Sequence, residues 1–455
     1  MLGGRVAGRA ACWPHPSDQW GGVVFRATVE MTGMSDVVVA GGGLAGLVAA
    51  RHLAESGADV TVFERESRVG GRVRSRRLDG YTLDRGFQVL FSAYPAVRRE
   101  LDLDALDLRY FTAGATIARP GDRSVLVDPR RAPTDALQTL FNGDITFGDK
   151  LRLFTLQREL AGRSPGEILN RGGTSTRAYL DRVGFSAKFV DNFAAPFYGG
   201  ITLDRDLETD SLVFEYTFKM LSEGHIGVPA AGMGAIPDQL AKRAEMAGAT
   251  IETEGTVSSV ESSSSEAVLT VDGETVVADA AVVATDPPTA RDLTDVGSIP
   301  TEARSCVTQY VARQSRTGLP TGKRLVLNTE ESGPNQIAPL SAVAPEYSPS
   351  DATLYSATFL GEREESDEAL FQSVRETMAS WYPEANLADL ELVATDRVPF
   401  AQFAQPPGFR AGLPAVDDPD GPVFLAGDYT RWSSIQGALE SGRVAADVAV
   451  EELGR

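Results

Sequence analysis

The stretch that decides the fold spans residues 36–67 and reads DVVVAGGGLAGLVAARHLAESGADVTVFERES. Residues 36–40 are mostly apolar, which predicts a buried strand, and a run of glycines follows them. The segment after the glycines predicts a helix, and residues 60–63 predict a second strand that ends in an acid. This order is a complete βαβ unit, which is typical of a parallel α/β sheet that binds a dinucleotide.

Each glycine of the run has a different predicted task. Gly41 permits the tight turn, Gly43 lets backbone N–H groups approach a pyrophosphate, and Gly46 lets the helix pack close to the strand. Glu64, 18 residues after Gly46, stands where a ribose hydroxyl needs an acceptor. An acid here disfavours a 2′-phosphate, which leaves FAD or NAD. The predicted cofactor-binding residues of this unit are Gly41, Gly43, Leu44, Ala45, Gly46, Glu64 and Arg65.

Composition excludes several other classes of function. The 455-residue chain has 63 acidic against 43 basic residues and a net charge of -20, which opposes binding to nucleic acid or to anionic lipid through a basic face. Only five of the basic residues are lysines, a balance that favours a protein adapted to concentrated salt. No segment approaches the roughly 18 consecutive apolar residues of a membrane-spanning helix, although a peripheral membrane contact stays open.

Cysteine and histidine usage indicates a reducing, cytoplasmic setting. Cys12 and Cys306 cannot form a disulfide framework, and the three histidines show no metal-binding or catalytic spacing. No metal site is therefore predicted. Residues 1–33, before Met34, lack periodicity and lack an export signal, so we expect a disordered tail or a misassigned start.

The segment downstream of Glu64 distinguishes FAD from NAD. Gly70, Gly71 and Arg72, taken with Glu64, resemble the fingerprint of flavoproteins of the amine oxidase, protoporphyrinogen oxidase and phytoene desaturase superfamily. The resemblance implies that these three residues line the pyrophosphate of a non-covalently bound FAD. Their chemistry agrees, because glycines permit close backbone approach and a guanidinium pairs with phosphate.

Two further segments resemble the same superfamily. The motif at residues 84–88 implies that Gly86, Phe87 and Gln88 approach the flavin ring. The segment from residue 232 to residue 260, a Gly-Met-Gly turn, a helix and a strand, implies that Val257 contacts adenine.

The C-terminal segment carries the sharpest resemblance. Gly427 and Asp428 follow an apolar strand, and the resemblance implies that they hold the ribityl chain. It also implies that Gln436, Gly437 and Ala438, at the start of a helix, face the flavin carbonyl, where a helix dipole stabilises added electrons. A simple helix N-cap is the alternative interpretation of the acid.

The resemblance brackets nearly the whole chain and implies an α/β fold of the amine-oxidase type with two domains. We expect a Rossmann-like FAD domain from residues 35–110, 222–290 and 391–455. A discontinuous α+β substrate domain takes residues 111–221 and 291–390.

The intervening segments, including residues 195–201, most resemble phytoene-desaturase-like oxidoreductases. We therefore predict FAD-dependent desaturation of a hydrophobic, carotenoid-like substrate, with hydride transfer from a saturated C–C unit to flavin N5. No side chain is identified as an obligatory acid or base, and the electron acceptor, O₂, quinone or another compound, is left open. Amine oxidases of the superfamily usually place a lysine near the flavin. Here the sequence around Lys323 predicts a solvent-exposed position at the start of a strand, not a catalytic role. Tyr429 and Trp432 either flank the flavin or pack against the last helix.

Three alternatives stay open at this point. A flavin amine oxidase or a protoporphyrinogen-type oxidase would use O₂ and release peroxide. A flavin-binding chaperone or assembly protein would bind FAD without reducing it.

Overall fold

A computed structural model describes residues 34–128 and 142–454, and the fold is given for those residues. The predicted N-terminal tail, including Cys12, lies outside the described residues.

The strands of the described residues follow in chain order. They are β1 (Asp36–Ala40), β2 (Asp59–Glu64), β3 (Ser75–Leu78), β4 (Tyr81–Asp84), β5 (Leu90–Phe91), β6 (Leu108–Tyr110), β7 (Gly114–Arg119), β8 (Asp122–Val127), β9 (Ile226–Pro229), β10 (Thr250–Thr253), β11 (Val257–Ser262), β12 (Ala267–Val271), β13 (Glu274–Ala278), β14 (Ala280–Val283), β15 (Ala303–Arg313), β16 (Leu325–Asn328), β17 (Gln336–Ala338), β18 (Thr353–Leu360), β19 (Leu390–Phe403) and β20 (Val423–Leu425).

The α-helices of the same residues are interleaved with these strands. They are α1 (Leu44–Glu55), α2 (Pro95–Glu100), α3 (Phe147–Ala161), α4 (Pro165–Leu169), α5 (Thr176–Val183), α6 (Ala187–Phe189), α7 (Ala195–Thr202), α8 (Ser211–Glu223), α9 (Ala235–Ala247), α10 (Pro287–Thr294), α11 (Leu340–Val343), α12 (Asp367–Trp381) and α13 (Ile435–Glu452). A π-helical turn, Val190–Ala194, joins α6 to α7. Single 3₁₀ turns cover Pro345–Tyr347, Phe409–Gly412 and Asp428–Thr430.

The first sheet is parallel, and its strand order among the described residues is β10-β2-β1-β14-β20. Alternate residues of its strands face two different layers, as the pleat requires. Val37 and Val39 pack with α1 and α13, whereas Val38 and Ala281 pack with the antiparallel sheet β11-β12-β13. The predicted α/β fold with a Rossmann-like βαβ unit is thereby confirmed.

A second, mixed sheet has the strand order β19-β15-β18-β17-β16-β7-β8 among the described residues. Its pairs are antiparallel except for β16 with β7. Helix α12 covers one face with a core that includes Val374 and Trp381. The helices from α3 to α8 pack into the largest core, which also contains Tyr310 of β15 and Trp432.

The edge strand β19 bears on the predicted domain boundaries. It begins at Leu390 and pairs along β15, so the first part of the predicted last FAD-domain segment lies in the mixed sheet. The boundaries themselves stay a prediction.

Two tyrosines join the mixed sheet region to the strand that precedes the flavin-ring motif. The Tyr310 hydroxyl donates to the carbonyl oxygen of Asp84 at 2.6 Å. The Tyr347 hydroxyl donates to the Asp84 carboxylate, Oδ2, at 2.8 Å. Because these groups are buried, they fix β4 against the second sheet.

Candidate functional site

A cavity of about 530 Å³ lies between the carboxyl ends of the parallel strands and the mixed sheet. In open α/β sheets this edge is where ligands bind. The predicted cofactor-binding residues on its wall are Gly41, Gly43, Leu44, Ala45, Glu64, Arg65, Gly70, Gly71, Arg72, Gly86, Phe87, Gln88, Val257, Gly427, Asp428 and Ala438. Residues more than 380 positions apart in the chain thus meet in one cleft.

The glycine turn after β1 requires a residue without a side chain at its first position. Gly41 has φ +108°, and a Cβ there would lie 2.8 Å from the carbonyl oxygen of Ala284. Its N–H donates to the carbonyl oxygen of Phe63 at 2.8 Å, which ties the turn to the end of β2. Gly46 lies behind the wall, where a Cβ would collide with the carbonyl oxygen of Gly41, so it sets the close approach of α1.

Gly43 has the opposite property, since a Cβ added there meets no atom within 4 Å. It is the N-cap of α1, and no side chain caps that helix end. The first turn also has no acidic residue. Its N–H groups and the positive end of the helix dipole therefore face open space that a pyrophosphate fits.

Glu64 is buried at the end of β2 and is held by two backbone donors. Its Oε2 accepts from the N–H of Gly42 and its Oε1 from the N–H of Glu66, both at 2.9 Å. Each carboxylate oxygen keeps a second lone pair, so the group can also accept from a ribose hydroxyl. The N–H of Gly255, just before Val257, donates to the Glu64 carbonyl oxygen at 3.0 Å. The acid and the predicted adenine contact therefore lie together.

The loop that carries Gly70, Gly71 and Arg72 closes over the glycine turn. The N–H of Gly70 donates to the carbonyl oxygen of Gly42 at 2.8 Å. Arg72 donates through Nη2 to Asp428 Oδ1 at 2.7 Å and through Nη1 to the carbonyl oxygen of Ala401 at 3.2 Å. Burial opposes the positive charge of Arg72, but the carboxylate of Asp428 outweighs it and raises the pKa of the guanidinium.

The motif at residues 84–88 is held from the mixed sheet. The N–H of Phe87 donates to Thr308 Oγ1 at 3.3 Å, and the N–H of Gly86 donates to Asp396 Oδ2 at 3.2 Å. Gln88 Nε2 donates to the carbonyl oxygens of Arg72 and Arg85 at 2.8 and 2.9 Å. The Gln88 amide thus clamps two loops of the cavity wall.

Asp84 begins this motif and is buried with three hydrogen-bond donors. Oδ1 accepts from Ser75 Oγ at 2.5 Å and from the N–H of Met233 at 2.9 Å, and Oδ2 accepts from Tyr347. Burial raises the pKa of the Asp84 carboxyl to about 6, because the donors compensate the lost hydration only in part.

The two aromatic residues after Asp428 have different positions. Tyr429 is buried in the core below the parallel sheet and donates to the carbonyl oxygen of Val283 at 3.0 Å. Trp432 lies on the cavity wall, with its ring centroid 6.1 Å from that of Tyr94 and 5.1 Å from that of Tyr216. The sequence left this question open, and Trp432 is the residue that faces the cavity.

Gln436 and Gly437 lie off the wall. Gln436 Oε1 accepts from the N–H of Ala96 at 2.9 Å and so fixes α2, and the N–H of Gly437 donates to the N-cap Ser434 at 2.8 Å. Their predicted contacts with the flavin stay predictions.

The cavity continues beyond the nucleotide motifs into an apolar end. Its side chains come from α7, α8 and β16 and include Phe197, Ile201, Val213, Leu325 and Leu327. Sequence reasoning did not single out Tyr94, Gln336, Gln402 or Gln405, which also line the wall. Nothing local marks these four residues, because their position depends on contacts between distant segments.

The other candidate groups lie away from this cavity. Lys323 is exposed, as predicted, and is not on the described wall. His52 contacts Glu100 at 3.1 Å on the far side of α1. Among residues 34–128 and 142–454, no cluster of His, Cys, Asp and Glu has the makeup of a metal site. Among the described helices, none combines the length and the apolar character that crossing a bilayer requires.

Comparisons with known proteins agree with this geometry. The family model described as flavin containing amine oxidoreductase matches residues 44–450. Protoporphyrinogen oxidase 2 of Arabidopsis thaliana is 26% identical over 226 residues, which cover 49% of this chain and 42% of that protein, less than half of its length. The 15-cis-phytoene desaturase of Solanum lycopersicum is 22% identical over 94% of this chain and 80% of that protein.

A solved structure shows the same fold. An oxidoreductase from Methanosarcina mazei superposes with a TM-score of 0.72 and 17% identity, over 90% of this chain and 100% of that one. With the family model covering residues 44–450, the predicted FAD cofactor and oxidoreductase activity are confirmed, and the chain belongs to the family of flavin containing amine oxidoreductases.

Proposed function

We propose that this protein desaturates a hydrophobic, polyene-like substrate. A saturated C–C unit loses one hydrogen as hydride and the neighbouring one as a proton, and a C=C bond forms. FAD, when bound, supplies the two-electron acceptor that takes the hydride. The apolar end of the cavity carries this proposal, because its aromatic and aliphatic side chains suit a hydrocarbon chain.

The charges on the cavity wall support the same reaction. Its described carboxylates, Glu64, Glu66, Asp286 and Asp428, belong to the nucleotide motifs or lie next to them, and no described wall residue is lysine or histidine. Desaturation needs no strong base near the apolar end if the proton passes to water. The task of the protein is then to orient the saturated carbons of the substrate toward the flavin end of the cavity.

The nucleotide end gives each cofactor residue a proposed task. Gly43 and Gly71 admit the pyrophosphate, which Arg72 and the N-terminus of α1 neutralise. Glu64 accepts from a ribose hydroxyl, and Asp428 accepts from the ribityl chain. Val257, at the start of β11, lies beside adenine.

An oxidase that uses O₂ is the second candidate, and the Arabidopsis relative, a protoporphyrinogen oxidase by name, favours it. The two candidates differ in which compound reduces the flavin and in what reoxidises it. An oxidase releases hydrogen peroxide in proportion to turnover, whereas a desaturase coupled to another acceptor does not.

An anaerobic substrate screen tests the proposal. The purified flavoprotein is mixed with acyclic polyenes, with primary and secondary amines and with a porphyrinogen, and the visible absorbance of the oxidised flavin is followed. We expect bleaching by a polyene and a product with one more conjugated double bond. Bleaching by amines or by the porphyrinogen, with no response to polyenes, would overturn desaturation.

We further propose that α3 contacts a membrane surface, from which a hydrophobic substrate is drawn. Phe147, Leu151 and Phe154 are 78%, 59% and 50% exposed and share one side of the helix. The same helix carries the basic side chains Lys150, Arg152 and Arg158. Exposed apolar side chains on one face of a helix favour contact with a lipid surface. The cytoplasmic location stays a prediction.

Vesicle flotation tests this contact. We expect the protein to float with vesicles of phosphatidylcholine and phosphatidylglycerol, and the triple change Phe147→Ser, Leu151→Ser and Phe154→Ser to abolish flotation. Met246→Ser is the matched control, because Met246 is 87% exposed on α9 without apolar neighbours of that kind. Equal flotation of the triple variant and the control would refute the contact.

A further inference from the structure

Gln336 places a polar amide in the apolar end of the cavity. It lies on β17, lines the wall beside Leu327 and is only 3% exposed. The helix α7 packs directly against it, since a Cβ on Gly200 would lie 3.0 Å from Gln336 Oε1 and 3.1 Å from Nε2. A buried amide in apolar surroundings is costly unless its donors and acceptor find partners.

The neighbouring side chains decide which way this amide faces. Arg205 carries only donors, and its Nη1 donates to Asn335 Oδ1 at 2.9 Å. The Asn335 oxygen is thus taken by a cation, and its Nδ2 must donate. It donates to the carbonyl oxygen of Pro196 at 2.8 Å and to Gln336 Oε1. Gln336 is therefore held with its oxygen on Asn335.

These hydrogen bonds leave the Nε2 donor of Gln336 free to bind a ligand. Arg205 is itself anchored, because its Nη2 donates to the carbonyl oxygen of Asn328 at 2.9 Å. A reversed Gln336 amide would bring two N–H donors together at Asn335, so the orientation is enforced. Among the described residues, none accepts a hydrogen bond from Gln336 Nε2.

We propose that Gln336 Nε2 donates to an oxygen atom of the substrate, and that the substrate class is an oxygenated polyene. The oxygen belongs to a hydroxyl, ether or carbonyl group of the substrate. It lies within reach of Gln336 while the saturated carbons of the substrate lie at the flavin end of the cavity. This rests on the proposed desaturation. A pure hydrocarbon leaves the donor unpaired, and an ammonium group offers it no acceptor, so both are disfavoured.

The test compares two polyenes that differ only in one hydroxyl group. Their dissociation constants are measured by quenching of tryptophan fluorescence, which Trp432 on the wall makes sensitive to binding. Their rates of anaerobic flavin reduction are measured in the same preparation. For the wild-type protein we expect about a 10-fold to 100-fold preference for the hydroxylated polyene in both quantities.

Gln336→Leu removes the amide and keeps the volume nearly unchanged. We expect it to abolish the preference, because it weakens binding of the hydroxylated polyene and strengthens binding of the hydrocarbon. Gln402→Leu is the matched control, because Gln402 also lines the wall but its Nε2 already donates to the carbonyl oxygen of Ile201 at 2.7 Å. Gln402→Leu should change the dissociation constants and the reduction rates of both polyenes by the same factor, so the preference stays as in the wild type.

The outcomes separate the two proposals. If neither polyene reduces the flavin but the hydroxylated one binds better in a Gln336-dependent way, desaturation fails and the donor role stands. If both polyenes bind and react equally in the wild type and in Gln336→Leu, the donor role fails and desaturation stands. Should Gln336→Leu not fold, Gln336→Met replaces it, since a thioether has no N–H donor and must also lose the preference.

Discussion

Arg72 Nη2 and Asp428 Oδ1 lie 2.7 Å apart although 356 residues separate them in the chain. This ion pair joins the loop over the glycine turn to the junction between β20 and α13. Asp428 is buried and also accepts from Ser433 Oγ at 3.0 Å, so its carboxylate is fixed from two sides. The pair therefore ties together the two halves of the proposed cofactor site.

Asp428→Asn should weaken FAD binding and lower stability. The change removes the charge that compensates Arg72, and an under-compensated charge that is largely withdrawn from water costs about 1–3 kcal/mol. We expect the dissociation constant of FAD to rise at least about 10-fold and the melting temperature to fall. Flavin fluorescence titration and thermal unfolding measure the two effects.

Asp191→Asn is the control for that change. It removes the same charge from an exposed pair, in which Asp191 is 63% exposed and 3.7 Å from Arg177. Such pairs contribute little, so stability and FAD affinity should stay near the wild-type values. Equal effects of the two substitutions would contradict the role of the Arg72–Asp428 pair.

Gly43→Ala should impair FAD binding without unfolding the protein. The Gly43 backbone has φ -75°, which alanine adopts readily, and the new methyl group meets no atom of the chain within 4 Å. The methyl group projects instead into the space proposed for the pyrophosphate. We expect an unchanged melting temperature of the FAD-free protein and a rise in the FAD dissociation constant of about 10-fold or more.

Gly41→Ala should show the reverse order of effects. At φ +108° and 2.8 Å from the Ala284 carbonyl oxygen, a methyl group strains the backbone and collides with it. We expect a loss of stability of more than about 1 kcal/mol even in the absence of FAD. If Gly43→Ala destabilised the FAD-free protein as much as Gly41→Ala, the open cradle at Gly43 would be ruled out.

Asp84 should make stability depend on pH in the mildly acidic range. Its pKa rises from about 3.8 to about 6 on folding, so the folded protein binds the proton more tightly than the unfolded chain does. The stabilisation is fully present below pH 4 and is lost as pH rises through 6. The shift corresponds to about 3 kcal/mol.

Asp84→Asn isolates this contribution because an amide does not titrate. It can keep all three partners, by accepting from Ser75 and Met233 and donating to the Tyr347 hydroxyl. We expect the melting temperature of the variant to rise relative to that of the wild type between pH 4 and pH 6. A difference that stays constant over this range would show that Asp84 does not titrate there.

Salt should stabilise the protein. A net charge of -20 makes the folded chain repel itself, and screening shortens the range of that repulsion to about 3 Å at 1 M salt. We expect the melting temperature to rise steeply with KCl below about 0.5 M, where the Debye length falls most. Equal concentrations of sucrose serve as the control for uncharged solute effects. The same melting temperature at low and at multimolar salt would contradict adaptation to salt.

The parts of the fold that are local in sequence could be predicted. The run from Asp36 to Glu64 predicts β1, α1 and β2 because apolar spacing, glycine conformation and a terminal acid all fall within one short segment. The position of β19 could not be predicted in this way. Its partner β15 is about 80 residues away, and edge pairing depends on which strand is free to accept it.

The candidate site divides along the same line. Motif residues such as Gly41 have conformational requirements that a sequence displays. Trp432 and Tyr429, in contrast, have similar chemistry and lie only three positions apart, and only the packing decides which faces the cavity. The donor of Gln336 depends on its chain neighbour Asn335 and on Arg205, which reaches Asn335 from a separate loop. Contacts of that kind leave no periodicity in the sequence.

The strand order β10-β2-β1-β14-β20 has a consequence for synthesis in the cell. The central strand β1 is translated early, but its sheet is completed by Val423–Leu425, and Asp428 follows only then. A nascent chain that has emerged as far as β14 exposes the apolar edge that β20 will cover. The cofactor site proposed here can thus be complete only after residue 428 has left the ribosome.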